Sequence, residues 1–362
     1  MFSSLFMKKL NRCLIVIALI VISQLLWSDD GPYVFWENEK PIAVYVKNQQ
    51  IIRDTLAAKM DGEYYLDWCN GQAESVVLQK EFSQPQTSFS KPERFLALSD
   101  MHGNLAGTVE LLLAAGVMDE NYNWIYNGWL IIVGDVFDRG EQTTECLWLL
   151  YHLYKQAESS DEGKMITILG NHENMTIGQK THEMKDKYAE TCELLDMTYN
   201  ELYGENTLLG RWLRSWQTVL KLDDILFVHG GISVGFAQRF TNLSDVNKLI
   251  WDYYHQVDLS DNEDLNYLFH RNGPFWYRGY FSTDEKWETA NPEIIDGIMR
   301  QYQVNNIVVG HTTFDNIQYA QEGRIISIDA GLKYQESGFA LLYQNGDFFI
   351  LASDGAISEI TP

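Results

Sequence analysis

Five apolar stretches of the sequence each lead into a short polar segment rich in aspartate, histidine or asparagine. These segments contain Asp100 and His102; Asp135, Asp138 and Arg139; Asn171 and His172; His229; and His311. A single histidine at the end of a strand is more often an ordinary polar residue than a ligand. Five such segments together indicate a cation site, because so many carboxylates and imidazoles do not crowd together without a positive ion.

The residue types indicate which cation this would be. Imidazole combined with carboxylate suits zinc, manganese or iron, whereas magnesium and calcium prefer oxygen ligands alone. The six candidate ligands are too many for one tetrahedral ion, but they fit two divalent or trivalent ions that share one carboxylate; they are Asp100, His102, Asp135, Asn171, His229 and His311. Two metal ions roughly 3.5–4 Å apart are a common device for displacement at phosphorus. The sequence therefore predicts a dinuclear site for phosphoryl chemistry.

The elements that must position these residues follow a recognisable order. From Arg94 onward, strands at 94–99, 129–134 and 164–170 alternate with helices at 104–116 and 143–157. This order predicts a largely parallel sheet in which the carboxyl ends of the strands lie at one edge. Four later apolar stretches, at 224–231, 305–311, 323–331 and 338–353, predict a second, more antiparallel sheet packed on the first. The predicted fold class is α/β, with two packed mixed β-sheets flanked by helices and a small β-rich N-terminal region.

The chain divides into three predicted segments. Residues 1–28 are predicted to be a signal peptide, residues 29–93 a β-rich extension with a linker, and residues 94–362 the catalytic domain. Within that domain, the segments 174–223 and 235–300 are largely helical in composition and rich in tryptophan and tyrosine. Inserts of this length usually form the walls or lids of a site.

The N-terminal segment has the composition of an export signal. Lys8, Lys9 and Arg12 precede an apolar run at 13–27, which is short for a membrane span. We expect an exported protein, periplasmic in location, with no stable membrane insertion after signal removal; an uncleaved N-terminal anchor is the alternative. Cys13 would leave with the signal, so Cys69, Cys146 and Cys192 could form at most one disulfide bond.

Overall charge limits the choice of partners. The formal net charge is -23 at pH 7, which argues against a nucleic acid partner because phosphate binding needs clustered lysine and arginine. An anionic substrate would need metal ions or a few arginines to overcome this field.

The ordered motifs resemble a known family. They are D-x-H-G-N at 100–104, G-D-x-x-D-R-G at 134–140, G-N-H-E at 170–173, H-G-G at 229–231 and G-H at 310–311. This set resembles the calcineurin-like metallophosphoesterases, and its D-R-G and N-H-E forms are similar to the phosphoprotein phosphatase branch. The "FWYRGY" at 275–280 and the export signal resemble the Shewanella-like protein phosphatases, which include cold-active tyrosine-directed enzymes. Thr313 stands where diesterase-like relatives carry a second histidine, which disfavours a phosphodiesterase.

The resemblance implies a role for each residue. Asp100 and His102 would hold the first metal ion, Asp135 would bridge both ions, and Asn171, His229 and His311 would hold the second. His172 would be the general acid, with Asp138 orienting it, while Arg139 and Arg278 would grip the phosphate. Trp276, Tyr277 or Tyr280 could offer a ring face to a phenyl group. Two residues keep open interpretations: Asp329 could bond to a ligating histidine or belong to a structural turn, and Glu173 could be a helix-start carboxylate or support a ligand.

The predicted function is a metal-dependent phosphomonoesterase that acts on a phosphorylated protein or peptide and hydrolyses phosphotyrosine by direct attack of metal-bound hydroxide. The alternatives are hydrolysis of small phosphorylated metabolites or dinucleoside polyphosphates, and a non-enzymatic scaffold. The scaffold is disfavoured because no ligand or acid of the pattern is lost. A thiol mechanism needs arginine six residues after the cysteine, and Ser75, His152 and Thr198 occupy those positions here.

Overall fold

The structure is a computed structural model that describes residues 29–58, 63–69, 72–178, 183–255, 258–259, 261–334 and 338–360. The predicted signal peptide at 1–28 lies outside the described residues. The strands are β1 Asp30–Glu37, β2 Lys40–Lys47, β3 Gln50–Thr55, β4 Tyr64–Cys69, β5 Gln72–Val76, β6 Ser88–Phe89, β7 Arg94–Leu98, β8 Trp129–Ile132, β9 Lys164–Thr167, β10 Val219–Leu222, β11 Ile225–Val228, β12 Asn306–Val309, β13 Gln318–Ala320, β14 Ile325–Ser327, β15 Phe339–Gln344, β16 Asp347–Ala352 and β17 Ile357–Glu359.

Helices occupy the connections between these strands. They are α1 Leu105–Ala114, α2 Thr143–Glu158, α3 Asn171–Ile177, α4 Asp186–Leu195, α5 Tyr199–Leu202, α6 Leu208–Leu213, α7 Val234–Arg239, α8 Leu243–Tyr254, α9 Glu263–Leu268 and α10 Pro292–Tyr302. A short 3-10 turn spans Leu332–Tyr334. Within the described part of the chain, no helix is long and apolar enough to span a bilayer.

Two six-stranded mixed sheets form the body of the protein. The first has the order β17-β16-β15-β7-β8-β9 and the second has the order β13-β14-β12-β11-β10-β6. Strands β7, β8 and β9 are parallel, as the sequence predicts. Apolar side chains of both sheets share one buried cluster, in which the rings of Phe95 and Phe227 lie 5.5 Å apart between centroids. The predicted α/β class with two mixed sheets is therefore confirmed.

The C-terminal hairpin joins a different sheet from the one predicted. Strand β15 pairs antiparallel with β7 and with β16, so the 338–353 stretch extends the first sheet. The second sheet is correspondingly the more parallel one, because β12 pairs in parallel with both β11 and β14. The prediction of a more antiparallel second sheet was wrong, since an apolar alternation indicates a strand but does not specify its partner.

The N-terminal region is rich in antiparallel strands and packs on the rest of the chain. Strands β1, β2 and β3 form one antiparallel sheet, and β4 with β5 forms a hairpin. The buried carboxylate of Asp30 accepts hydrogen bonds from Tyr33 at 2.8 Å, Thr144 at 3.0 Å and Thr191 at 2.7 Å. These bonds connect β1 to α2 and α4. Strand β6, within the predicted linker, pairs with β10.

The two predicted helical inserts contain most of the short helices. Residues 174–223 include α4, α5 and α6, and residues 235–300 include α8 and α9 with most of α7 and α10. The first insert also ends in β10, a strand of four residues that the sequence pattern did not reveal. Four residues are too few for a period to distinguish a strand from a helical turn.

Candidate metal centre and catalytic site

All six candidate ligands lie at the carboxyl ends of the central strands. Asp100 and His102 follow β7, Asp135 follows β8, and Asn171 opens α3 after β9, while His229 follows β11 and His311 follows β12. The site is therefore built where the strand ends of both sheets meet, rather than along a single sheet edge.

The loops that carry these residues have an unusual backbone. Positive φ angles occur at Asp100 (55°), His102 (44°), Asp135 (59°), Asp138 (66°), Arg139 (63°) and His311 (64°). Each such residue costs of order 1–3 kcal/mol unless its surroundings hold it in place, and such residues cluster at functional sites. Backbone hydrogen bonds hold these loops together, including His102 to Asp135 at 3.0 Å and Gly103 to Val136 at 2.9 Å. The residues with this strained backbone are therefore among those predicted to bind metal or act in catalysis.

Asp135 lies at the centre of the cluster. Its Oδ2 is 3.2 Å from Nε2 of His229 and 3.6 Å from Nε2 of His102. Asp135 belongs to two groups of potential metal ligands, one with His102 and His172 and one with His229 and His311. A carboxylate common to both groups is the arrangement that two ions sharing a ligand require.

Asp100 and Asn171 extend the two groups. Asp100 Oδ1 lies 3.8 Å from Nε2 of His102, and Asn171 Oδ1 lies 3.1 Å from Nε2 of His229. Asp100 also accepts a hydrogen bond from the backbone N–H of His311 at 2.9 Å. The structure thus brings every predicted ligand into one cluster.

The imidazoles are oriented as metal ligands commonly are. Nδ1 of His102 lies 2.7 Å from the carbonyl of Phe137, and Nδ1 of His229 lies 2.7 Å from the carbonyl of Val133. Donation from Nδ1 to a carbonyl leaves Nε2 free as a metal ligand. Nε2 of His102 and Nε2 of His311 are buried without a hydrogen-bond partner. Such orphaned nitrogens are costly unless a cation pairs with them, so these residues fit a metal centre.

The ionisation states of Asp135 and His311 also suit a metal centre. Burial raises the pKa of Asp135, but His229 and His172 outweigh it and hold that pKa well below its usual range. Burial, His229 and Arg278 together lower the pKa of His311. Asp135 is therefore ionised and His311 is neutral at pH 7, which are the forms that bind cations.

His172 and Asp138 form a pair beside this cluster. Nδ1 of His172 lies 2.6 Å from Oδ2 of Asp138, and its Nε2 lies 3.9 Å from Oδ2 of Asp135. Burial lowers the pKa of His172, but Asp135 and the hydrogen bond to Asp138 outweigh it, so the pKa is raised above its usual value. The protonated form therefore persists to higher pH, as a proton donor near neutral pH requires.

Glu173 supports the loop that carries Asp135. Its buried carboxylate accepts hydrogen bonds from the backbone N–H groups of Gly170 at 2.6 Å, Val136 at 2.8 Å and Asp135 at 2.9 Å. Glu173 thus combines both roles considered from the sequence: it caps the start of α3 and fixes the backbone of a candidate ligand.

The two candidate phosphate-binding arginines approach the cluster from different elements. Nε of Arg139 donates to Glu183 at 3.0 Å, and its Nη2 lies 3.4 Å from Nε2 of His172. Nη1 of Arg278 donates to Thr312 at 3.1 Å. Burial lowers the pKa of Arg278, although Asp100 and Asp135 oppose that effect.

Of the three predicted aromatic rings, only Trp276 remains a candidate for contact with a substrate. Its ring is partly exposed and lies 5.7 Å from the imidazole of His311 between centroids. Tyr277 and Tyr280 are buried, and their hydroxyls donate to the carbonyls of Glu288 at 2.6 Å and Ile232 at 2.9 Å. The suggestion that these two rings face a phenyl group was wrong, because both are buried, with Gly231 packed against them.

The sequence analysis missed Lys333. Its Nζ lies 2.7 Å from Oδ2 of Asp329 and 3.4 Å from Oδ1 of Asp100. Asp329 also accepts a hydrogen bond from Thr313 at 2.7 Å. Asp329 therefore contacts a lysine and a threonine rather than a ligating histidine. The available signal was a lysine four residues after an aspartate at a strand end.

Glu183 and Tyr334 were missed as well. Both contact Arg139: Glu183 through Nε, and the hydroxyl of Tyr334 through Nη1 at 3.2 Å. No motif surrounds either residue, so only the folded structure reveals these contacts.

Cys146 and Cys192 are free thiols in the structure. Burial raises the pKa of Cys146, and burial raises the pKa of Cys192 to about 11. Neither thiol is therefore ionised at neutral pH, which agrees with the absence of a thiol phosphatase motif.

Two mixed sheets that present carboxylates and histidines at their carboxyl ends define the metallophosphoesterase class. The chain belongs to the calcineurin-like phosphoesterase family, whose model matches residues 93–313. The protein is accordingly a metal-dependent phosphatase, and this family uses divalent metals.

Comparison with known proteins indicates which group of this family the chain resembles. A crystal structure of the cold-active protein-tyrosine phosphatase of a psychrophile Shewanella species is 30% identical, with a TM-score of 0.83 over 92% of this chain and 100% of that chain. The Arabidopsis thaliana Shewanella-like protein phosphatase 2 is 30% identical over 190 residues, which cover 41% of this chain and 48% of that protein. An uncharacterized protein of Schizosaccharomyces pombe is 30% identical over 255 residues, covering 67% of this chain and 74% of that protein. The resemblance to the Shewanella-like phosphatases is confirmed.

Proposed function

We propose that this protein is a dinuclear-metal phosphomonoesterase that dephosphorylates proteins or peptides and accepts phosphotyrosine. The observation that carries the dinuclear assignment is the position of Asp135, which belongs to two groups of potential ligands. The unpartnered Nε2 atoms of His102 and His311 add support, with one in each group.

Each predicted ligand has a place in this proposal. Asp100 and His102 would hold the first ion, Asn171, His229 and His311 would hold the second, and Asp135 would bridge them. When bound, the two ions would lower the pKa of a water molecule and neutralise charge on the phosphate.

The remaining residues act on the substrate. His172 would donate its proton from Nε2 to the leaving oxygen, and Asp138 at 2.6 Å from Nδ1 keeps the ring oriented and charged. Arg139 and Arg278 offer planar donors that match phosphate oxygens. These arginines and the ions would supply the local positive charge that a chain of net charge -23 needs for an anionic substrate.

Phosphotyrosine is the favoured substrate for three reasons. The Shewanella structure that matches over 92% of this chain is described as a protein-tyrosine phosphatase. The partly exposed ring of Trp276 lies beside His311, where it can pack against a phenyl group. Aryl phosphates also have better leaving groups than alkyl phosphates, so a metal site favours them even without a dedicated ring pocket.

Hydrolysis of a phosphotyrosine peptide should require metal and should not require a thiol. Treatment with a chelator should abolish phosphate release, and added manganese should restore it, because the proposed ions would acidify the attacking water and neutralise charge on the phosphate. Alkylation with iodoacetamide should leave the rate largely intact, since both described thiols have raised pKa values. Phosphate release from the treated and untreated protein checks both results.

The same assay separates the alternative substrates. A panel of phosphotyrosine peptide, nucleotide, dinucleoside polyphosphate and phosphodiester should show the peptide as the best substrate and the diester as far slower. Faster turnover of nucleotides or dinucleoside polyphosphates would support the small-metabolite alternative. Phosphotyrosine turnover that survives chelation but is lost on alkylation would contradict the metal mechanism.

We propose that the protein is exported and that its signal peptide is removed before residue 30. The mature chain should begin between residues 24 and 29. Cleavage beyond residue 29 is disfavoured because Asp30 is buried and bonded to Tyr33, Thr144 and Thr191. N-terminal sequencing of protein from the fraction outside the cytoplasm checks this. A chain that retains Lys8 and Lys9 would support the uncleaved anchor instead.

A further inference from the structure

Lys333 places a buried ammonium group inside the cluster of candidate ligands. Its side chain is 3% exposed, and Nζ contacts Asp329 at 2.7 Å and Asp100 at 3.4 Å. The 3-10 turn that carries it is held by Asn104, whose side-chain amide donates to the carbonyl of Leu332 at 2.7 Å. The ammonium is thus fixed by the fold.

This burial distinguishes Lys333 from Arg139, which would contact the substrate. The side chain of Arg139 is 35% exposed, whereas Lys333 is enclosed and directs Nζ to two carboxylates. Nζ is thus paired with carboxylates in the structure. Because Asp100 is the candidate ligand that Lys333 contacts, Asp100 is where Lys333 would act on the site.

Asp329 controls how strongly the ammonium interacts with Asp100. The carboxylate of Asp329 is the nearer partner of Nζ, and the same Oδ2 accepts a hydrogen bond from Thr313 at 2.7 Å. Its position is also fixed by the backbone N–H of Gly331, which donates to Oδ1 at 3.3 Å. Asp329 consequently offsets part of the charge that Lys333 would otherwise direct at Asp100.

We propose that Lys333 is a positioning residue that competes with the first metal ion for Asp100, and that Asp329 limits this competition. The inference rests on the proposed function, which assigns Asp100 to the first ion. A divalent cation bound at Asp100 would lie close to the ammonium, and like charges at such distances repel strongly in a buried site. Lys333 thereby makes the first site weaker than its ligands alone would make it.

Two substitutions should shift metal affinity in opposite directions. Lys333→Met removes the ammonium and keeps the length of the side chain, so one of the two Mn²⁺ sites should bind about tenfold more tightly. Asp329→Asn leaves the ammonium to interact with Asp100 alone, so the same site should bind about tenfold more weakly. Simple damage to the fold would weaken binding in both variants.

The measurement is a Mn²⁺ titration of chelator-stripped, full-length mature protein against a competing fluorescent chelator. Lys248→Met is the matched control, because Lys248 is 59% exposed on α8 and pairs with Asp252; its affinities should equal those of the wild type. Thermal unfolding without metal verifies that each variant is folded. If Lys333→Met does not fold, Lys333→Gln takes its place.

The outcomes separate this inference from the proposed function. Two Mn²⁺ ions on the wild type, with opposite shifts in the two variants, would support both. Two ions on the wild type with unchanged or weakened binding in a folded Lys333 variant would overturn the inference alone. Wild-type protein that binds fewer than two ions would overturn the dinuclear proposal and this inference together.

Discussion

Asp135→Asn should lower the kcat for a phosphotyrosine peptide by at least about 10³-fold, the upper range for removing one electrostatic group from a catalytic site. The substitution keeps the shape of the side chain but removes the charge that lies 3.2 Å from His229 and 3.6 Å from His102. The proposed bridge between the ions is lost, so the metal content should fall as well. Steady-state kinetics and elemental analysis of the purified variant check both effects.

The matched control for this experiment is Asp30→Asn. Asp30 is also a buried aspartate with several hydrogen bonds, but its partners include Tyr33, Thr144 and Thr191, none of which is a candidate ligand. Asp30→Asn should lower thermal stability and leave the metal content unchanged. An Asp135→Asn variant that retains two ions and the wild-type rate would show that Asp135 does not bridge a catalytic metal pair.

The strand-end residues could be predicted from the sequence because their positions depend on local order. An apolar run followed at once by Asp100, Asp135 or His229 specifies that the polar group leaves the sheet at a carboxyl end, whichever strand pairs with which. For the same reason, the site residues were predicted correctly as one cluster although the C-terminal hairpin was assigned to the wrong sheet. His229 and His311 come from the second sheet, yet their strands run so that both ends reach the same place.

The residues that were missed or misplaced depend on long-range packing. The position of Lys333 four residues after Asp329 is a weak signal, because its burial depends on long-range packing such as the hydrogen bond from Asn104 to the carbonyl of Leu332, 228 positions away. Tyr277 and Tyr280 lie in an aromatic segment, but which rings face outward is decided by the bonds to Glu288 and Ile232. The spacing of apolar residues indicates which face of one helix or strand is buried, but it does not determine how an insert folds over a site.

The role of His172 leads to a prediction that depends on the leaving group. A general acid contributes typically 10²–10⁴-fold where the leaving oxygen needs a proton. His172→Asn should therefore slow a phosphoserine peptide by about that factor, a phosphotyrosine peptide less, and nitrophenyl phosphate least, because the phenolate anions leave more readily without protonation. Comparison of kcat on the three substrates checks the order.

The pH dependence should follow from the same residue. Burial lowers the pKa of His172, but Asp135 and Asp138 raise it by more, so its pKa in the folded protein lies above the usual value. The rate with phosphoserine should decline as pH rises through that value, because the proton to be donated is lost. The decline should disappear in His172→Asn.

Asp138→Asn is the matched variant: it keeps the imidazole but removes the carboxylate 2.6 Å from Nδ1, so the decline should move to lower pH. Equal losses on all three substrates, with the pH profile unchanged, would instead place His172 among the metal ligands, where its proximity to His102 and Asp135 would also allow it to act.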